Sequence, residues 1–420
     1  EVPSQLMKQA TGVRYNNILL GRAPIKASAG AAMGLLGKPL TILAGSLVKG
    51  DTSTLKRSLM VYGGIQENFM RAFKNARLEF QAANSGGTGA TVRTDIIHNQ
   101  LENVETMEEM AEVWSKSNKI GDKGKAAMWN MTKVLSWYNN LPITKLGISA
   151  MTAVDGFVRS MSASASARAR AYDELYDAGK GAVDLDQFYA KQNELYDLAF
   201  DKNGKLTDEA ARYASQEMNL QLDNKAIAGL EDAMKHYPVL RTIFMFPKTG
   251  INALQLAGTF APTGAFGQSI GKARKVFKAI TPQEIEEVLV EHGMKGQGIE
   301  AFNALKSEYI GRQIMGGSVV MGATLMAANG NLTGSGPADD AEKRRMISMG
   351  WQPFSVKMEN GEWRSYQGLE PFDSFLGLAA DMTYNLNRVD QAASEDWMRS
   401  LAASISHNIT QKSFLSGLEP

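Results

Sequence analysis

The chain has 420 residues, enough to bury large cores and, by length alone, to form about two or three domains. Its 45 basic and 44 acidic side chains leave a formal charge of +1, which excludes bulk attraction to nucleic acid or to a membrane surface. Cysteine is absent, which excludes disulfide scaffolds, thiolate nucleophiles and cysteine metal sites in any compartment.

Glycine (40) and methionine (22) are abundant against 12 prolines. Residue 1 is Glu, with no basic-then-apolar signal segment, so a processed or ordered piece of something longer is expected. Residues 2–26 read as helix or loop of mixed polarity, broken at Pro24. Over residues 27–47 the one charge is Lys38 and small residues dominate. That is close to the roughly 20 apolar residues a bilayer span needs, but Lys38-Pro39 divides the run into halves too short to cross unaided. Two readings stand together: a tightly packed buried hairpin of helices, because small residues allow close approach, or a membrane or interface segment presenting Leu35, Leu36, Ile42 and Leu43.

Residues 55–80 follow one amphipathic helical period, with Leu59, Ile65, Phe69, Phe73 and Leu78 against Lys56, Arg71, Lys74 and Arg77. Asn84-Ser85-Gly86-Gly87-Thr88-Gly89 is a flexible break. The acidic helix over 101–114 carries Glu102, Glu105, Glu108, Glu109 and Glu112, a solvated face because carboxylates avoid burial. Helices follow over 123–138 and 143–176, separated by Asn139-Asn140-Leu141-Pro142. The small-residue run 160–168 suits close packing, and Asp155 reads as a satisfied acid or salt-bridge member. Another helix covers 187–200. The stretch 201–209 resembles a calcium loop, but its glycine is fourth rather than sixth and the bidentate glutamate at position twelve is missing, so a turn feeding a helix capped by Thr207 is expected.

Residues 226–236 are helical up to Tyr237-Pro238, and the apolar stretch 239–260 carries Arg241 and Lys248, which argue against a span. Gly267 to Lys272 fails as a phosphate loop by one residue of spacing and by the missing Ser or Thr after the lysine. The segment continues as a basic amphipathic helix whose Lys272, Arg274, Lys275 and Lys278 face water, acidic lipid or DNA phosphate. Thr281-Pro282-Gln283-Glu284 is a capping box opening a helix over 285–292. Residues 302–310 lead into the uncharged run 313–338, whose strongly apolar part, 314–328, is short for a span. Its candidate membrane or interface residues are Ile314, Met315, Val319, Val320 and Leu325. Residues 329–337 read as an exposed turn and 339–345 as a charged helix.

Residues 350–366 differ from the rest, because two β-favouring runs flank Asn360-Gly361, a hairpin turn that needs φ > 0 at both positions. A two-residue loop pairs Met358 with Trp363, Lys357 with Arg364 and Val356 with Ser365. The hairpin reads as a clasp, with Trp351, Trp363 and Phe372 buried against the helices on either side. Glu370-Pro371-Phe372-Asp373 opens a helix, and 372–387 and 395–414 return to helix. The fold class is mainly α, an elongated multi-helix assembly with one small β-hairpin near 353–366. It divides into segments 1–84, 90–260, 261–349 and 350–420.

The four histidines, His98, His236, His292 and His407, lie far apart, and no H-E-x-x-H or G-x-S-x-G pattern occurs. Gly296-Gln297-Gly298 follows a helix rather than a strand and so fails as a dinucleotide loop. No catalytic, cofactor or metal residue is selected, and the chain reads as a non-enzyme.

Five stretches in order carry a resemblance. They are Asn16-Asn17-Ile18-Leu19-Leu20-Gly21, Leu141-Pro142 through Asp155-Gly156-Phe157-Val158-Arg159, Pro238 through Phe246-Pro247-Lys248-Thr249-Gly250-Ile251-Asn252, Gly334-Ser335-Gly336-Pro337, and 350–381 with Trp351, Trp363, Tyr366 and Asp381. Together they resemble the end region of the large internal virion, or ejection, proteins of tailed and chiefly short-tailed phages. Arg22-Ala23-Pro24 and Gly250 depart from the family pattern. The resemblance implies a capsid-borne protein expelled into the host, forming a homo-oligomeric core or channel through periplasm and inner membrane. The partners it implies are copies of itself, other internal virion proteins, the portal, the passing genomic DNA and the host inner membrane. A scaffold part of a larger peptidoglycan-cleaving or nucleic-acid-processing phage enzyme is the alternative.

Overall fold

The structure, a computed structural model, describes residues 2–20, 23–63, 65–85, 101, 103–178, 183–202, 204–223, 227–229, 232, 247–260, 267–337, 339–367, 369 and 372–386. It is mainly helical with one small two-stranded antiparallel sheet. The glycine break after Ser85, the stretch 233–246, Pro371, the helix expected over 395–414 and His98, His236 and His407 lie outside the described residues.

The chain opens with α1 (Val2–Leu19), α2 (Ala23–Lys49), α3 (Thr52–Tyr62) and α4 (Ile65–Asn84). The division expected at Lys38-Pro39 does not occur, and α2 runs through Pro39. An internal proline costs about 3 kcal/mol, so packing along the helix overrides it. The single helix expected over 55–80 is two, parted after Tyr62, with α3 begun by Asp51, whose carboxylate accepts from Thr54 N at 3.0 Å. Next come α5 (Val104–Lys116), α6 (Ile120–Asn139), α7 (Pro142–Ala178), α8 (Leu185–Leu198) and α9 (Glu209–Met218). The cap of α9 is Asp208 rather than Thr207. The Asp208 carboxylate accepts from Ala211 N at 2.8 Å, while the Thr207 hydroxyl turns back to donate to Ala199 O at 3.0 Å.

The second half holds α10 (Pro247–Phe260), α11 (Gly267–Lys278), α12 (Pro282–Glu291), α13 (Gly298–Ala328), α14 (Asp340–Ser348), β1 (Ser355–Lys357), β2 (Trp363–Ser365) and α15 (Phe372–Leu386). The capping box forms as the sequence demands, with Glu284 accepting from Thr281 N and Thr281 accepting from Glu284 N.

Two long helices organise the packing. Along α7, Ala163, Ala167 and Ala171 are buried and leave room for Phe188, Leu195 and Tyr196 of α8 and Ala211 of α9. Against α7's other side lies α4, and Arg57 of α3 grips Asp173 of α7 with two bonds of 2.7 and 2.6 Å. The second organiser is α13, which crosses α2 backbone to backbone. A Cβ on Gly311 would lie 1.7 Å from Thr41 O, and one on Gly45 would lie 1.8 Å from Ser307 O. Only glycine fits either position. Of the two stretches that read from sequence as candidate membrane segments, the first is packed on α13 at Ser307 and Gly311, while the second packs through Met315, Val319 and Val320 on Phe260 and Phe375.

The hairpin register differs from expectation by one residue: Ser355 pairs with Ser365, Val356 with Arg364 and Lys357 with Trp363. Of the two turn residues only Gly361 takes a positive φ, +84°, so a two-residue turn is not formed. Instead Gly361 N donates to Met358 O at 2.9 Å and Met358 N to Glu362 O at 2.8 Å, a three-residue loop closed by a left-handed glycine. The shift separates Val356 from Trp363 and leaves Met358 exposed. Trp351, Trp363 and Phe372 are half-buried, and the buried anchors are Phe354, Tyr366 and Phe375. The turn expected to be exposed at 329–337 is largely buried, because it lies along β1. Thr333 N donates to Ser355 O at 2.9 Å, Phe354 N to Gly334 O at 2.9 Å and Tyr366 Oη to Thr333 O at 2.7 Å. Asp381 of α15 accepts from Ser335 N at 2.6 Å, which ties the strap to the last described helix.

Gly311→Ala is expected to destabilise by about 1–3 kcal/mol or more through overpacking against backbone. Gly317→Ala, on the same helix with nothing within 4 Å, is expected to be neutral or to stabilise by about 0.5–1 kcal/mol. Denaturant unfolding of the pair measures the difference. By the same measurement, Phe354→Ala should cost about 3–5 kcal/mol, and the half-buried Trp363→Ala distinctly less.

Candidate functional site

The densest chemistry in the described residues is an ionic node beside the α2–α13 crossing. Arg312 lies one residue past Gly311, on the buried face at the middle of α13 where its apolar half begins, so its guanidinium must be paired inside the protein. It binds Glu217 of α9 in a two-pronged pair, Nη1 to Oε1 at 3.0 Å and Nη2 to Oε2 at 2.7 Å. Nη1 also donates to Thr259 Oγ1 of α10 at 3.1 Å, and Nη2 to the Glu308 carboxylate one turn earlier. From α2, Lys38 Nζ reaches Glu308 Oε2 at 3.5 Å. The guanidinium also packs on the Tyr309 and Phe260 rings, at 5.2 and 5.7 Å to their centroids. Two cations and two anions thus join α2, α9, α10 and α13 with no net charge.

Burial alone would raise the Glu217 carboxyl, but Arg312 more than offsets it and holds it down at about 2. Burial opposes the charge on Arg312 too, and the two carboxylates push it well above its ordinary range. Lys38 follows the same pattern, with burial outweighed by Glu308. Next to the node, His292 Nδ1 lies 2.7 Å from Val288 O and must donate to it, which leaves Nε2 to accept from the Tyr309 hydroxyl at 3.0 Å. Burial lowers the pKa of this imidazole and keeps it neutral. Burial also pushes up Tyr309 and Tyr213, the latter accepting from Lys272 Nζ at 3.3 Å.

A cavity of about 110 Å³ borders the node, lined among others by Lys38, Tyr62, Tyr213, His292 and Ser162, whose buried Oγ has no partner. A carboxylate held near 2 and bonded on both oxygens is not a general base at neutral pH. Arg312 gives up no proton, and His292 has both nitrogens engaged. What these groups do chemically is fasten helices. Among the described residues no three His, Asp or Glu side chains converge to hold a metal ion.

The candidate residues read from sequence are distributed rather than gathered. Ile42 is buried and lines the cavity with half-buried Leu35, while Leu43 is half-buried and Leu36 is 64% exposed. Met315, Val319 and Val320 pack on Phe260 and Phe375, whereas Ile314 and Leu325 face outward. No helix among the described residues is long and apolar enough to cross a membrane. The four cations of α11 do not form one patch. Lys275 pairs with Glu291 and Lys272 with Tyr213, while Arg274 and Lys278 are exposed. In the clasp, Asn360 accepts from Glu362 N at 3.1 Å, Trp351 lies over Gly336, Phe372 meets Phe260 edge-on at 5.5 Å and Lys357 Nζ sits 5.9 Å from the Trp363 ring. Sequence reading missed the node. Its signal is the i, i+4 pair Glu308 and Arg312 at the edge of an uncharged run, together with Lys38 as the lone charge in another.

The chain matches no protein-family model, no curated protein and no solved structure.

Arg312→Met is expected to destabilise by about 3–5 kcal/mol, since buried Glu217 loses its partner and buried Glu308 is left with Lys38 alone. Because Glu217 is depressed in the folded state, its contribution is complete above the ordinary glutamate range near 4.5 and is lost as pH falls toward 2. Wild-type stability should therefore drop over that window and the Arg312→Met variant should show a shallower drop, measured by urea unfolding across pH.

Proposed function

We propose that the chain is a non-enzymatic module of a tailed-phage internal virion, or ejection, protein. In this reading it is one subunit of a homo-oligomeric core or channel component that helps the genome cross the host envelope. The observation that carries the reading beyond the residue resemblance is how the helices spend their side chains. Buried charges are consumed in helix-to-helix bonds, while large apolar groups are left outside: Leu36, Leu40 and Leu47 on α2, and Met321 and Leu325 on α13 are each more than half exposed. Apolar faces on that scale favour assembly over a solitary existence in water. Copies of the chain, neighbouring internal virion proteins and the portal are the partners proposed for them. The DNA passes along the assembly, first in the virion interior and then in the host periplasm. Contact with the host inner membrane is assigned to the outward faces of α2 and α13.

Mass photometry of the purified chain should give a discrete oligomer, and flotation should recover it with lipid vesicles. A chain that stays monomeric and leaves both neutral and anionic vesicles untouched contradicts the proposal. So does cell-wall digestion abolished by a single carboxylate change.

A further inference from the structure

The helix α4 leaves large apolar side chains on its outward face. Its inward face buries Asn68, Ala72 and Ala76, while Asn75 donates to Ser160 Oγ at 3.3 Å and to Tyr196 Oη at 3.4 Å, and Glu79 pairs with Arg159 at 2.9 Å. Its outward face shows Met70 at 73%, Phe73 at 58% and Leu78 at 54% exposure. Between them stand Lys74 and Arg77, exposed and without a carboxylate partner among the described residues. The packed side is small and mixed, Ala72 and Ala76 among polar groups with Phe69 edge-on to Phe157 at 5.2 Å, and the larger apolar groups Met70, Phe73 and Leu78 are left free for something else.

The complement is on the same chain. Facing inward, α5 is held by Met107 and Ala111, and facing outward it shows Val113, 69% exposed, beside Glu105 and Glu109. Two other acids of α5 are already spent: Glu108 on Lys133 at 2.9 Å and Glu112 on Lys116 at 2.6 Å. Glu105 and Glu109 have no cation among the described residues, and their i, i+4 spacing aligns them in one stripe with Val113. Since α4 packs on α7 and α5 on α6, the two faces belong to different parts of the molecule.

We infer that the outward face of α4 docks the outward face of α5 on a second copy of this chain, Lys74 and Arg77 meeting Glu105 and Glu109 while Met70 and Phe73 cover Val113. The contact is heterologous. A docked pair keeps one unused face of each kind, α5 on one copy and α4 on the other, so assembly continues head to tail and closes into a ring when the rotation permits. The apolar groups supply affinity, and the charges select partner and register. This assignment rests on the proposal that the chain self-associates and names the faces that do it.

The test uses two full-length variants, Lys74→Glu with Arg77→Glu, and Glu105→Lys with Glu109→Lys, each checked for an unchanged thermal transition. Alone, each places like charges on both faces and should self-associate at least about tenfold more weakly than wild type in sedimentation equilibrium. Mixed in equal amounts they should recover association, because every junction between the two is again complementary. Variants that associate as well as wild type overturn the faces but leave self-association standing, whereas a monomeric wild type removes both. If Lys74→Glu with Arg77→Glu instead loses binding to anionic vesicles while its association is intact, the occupant of α4 is lipid and the inference fails.

Discussion

The fold depends on one close approach, the backbone contact between α2 and α13 at Gly45 and Gly311. No side chain separates the helices there, so the residues just past the crossing are pressed into the interior whatever their chemistry. Two of them, Glu308 and Arg312, are ionisable. Their burial would be ruinous unpaired, and Lys38, Glu217 and Thr259 arrive from three other elements to pair them. Thus the crossing positions the charges, and the charges in turn fix α9 and α10 against it. The proline inside α2 survives for the same reason, since the helix is clamped on both sides of Pro39 by Lys38 and by the buried run Thr41, Ile42, Gly45 and Ser46.

Much of the helical layout was legible because it is local. The long helix α7, the capping box before α12 and the small-residue packing face near 160–168 follow from periodicity, caps and volume in single stretches. The hairpin was legible as a hairpin, but not its register. The Asn-Gly pair suggests a two-residue turn, yet Phe354 must reach the pocket made with Leu332 and Tyr366, and its φ of +47° shows the backbone bent to place it there. A left-handed conformation costs a residue with a Cβ about 1–2 kcal/mol, which the buried ring and its two backbone bonds offset. The strap over 331–335 was missed because its polar, glycine-rich composition matches a loop, and only pairing with β1 and Asp381 makes it interior. The node was missed for a deeper reason: Glu217 and Arg312 are 95 residues apart, and nothing in either neighbourhood names the other.

The two stretches that resemble membrane segments have a further lesson. Small residues and few charges are what a helix needs to approach another helix backbone, in lipid or in water. Here Gly45 is spent on the backbone of α13 at Ser307, Gly311 just ahead of the second stretch is spent on Thr41, and apolar residues such as Leu36 and Leu325 are left outward. Ion pairs such as Arg312 with Glu217 and Glu308 fasten the interior, while Leu36, Leu40 and Leu47 of α2 and Met321 and Leu325 of α13 stay on the outside.

Amide hydrogen exchange across the α2–α13 crossing tests this account most directly. If the crossing is the constraint on which the rest depends, the amides of residues 42–46 and 308–312 should exchange only by global unfolding, with protection that falls together in Gly311→Ala. Exchange of residues 42–46 through local opening, well ahead of the α7 core and unaffected by that substitution, would contradict it.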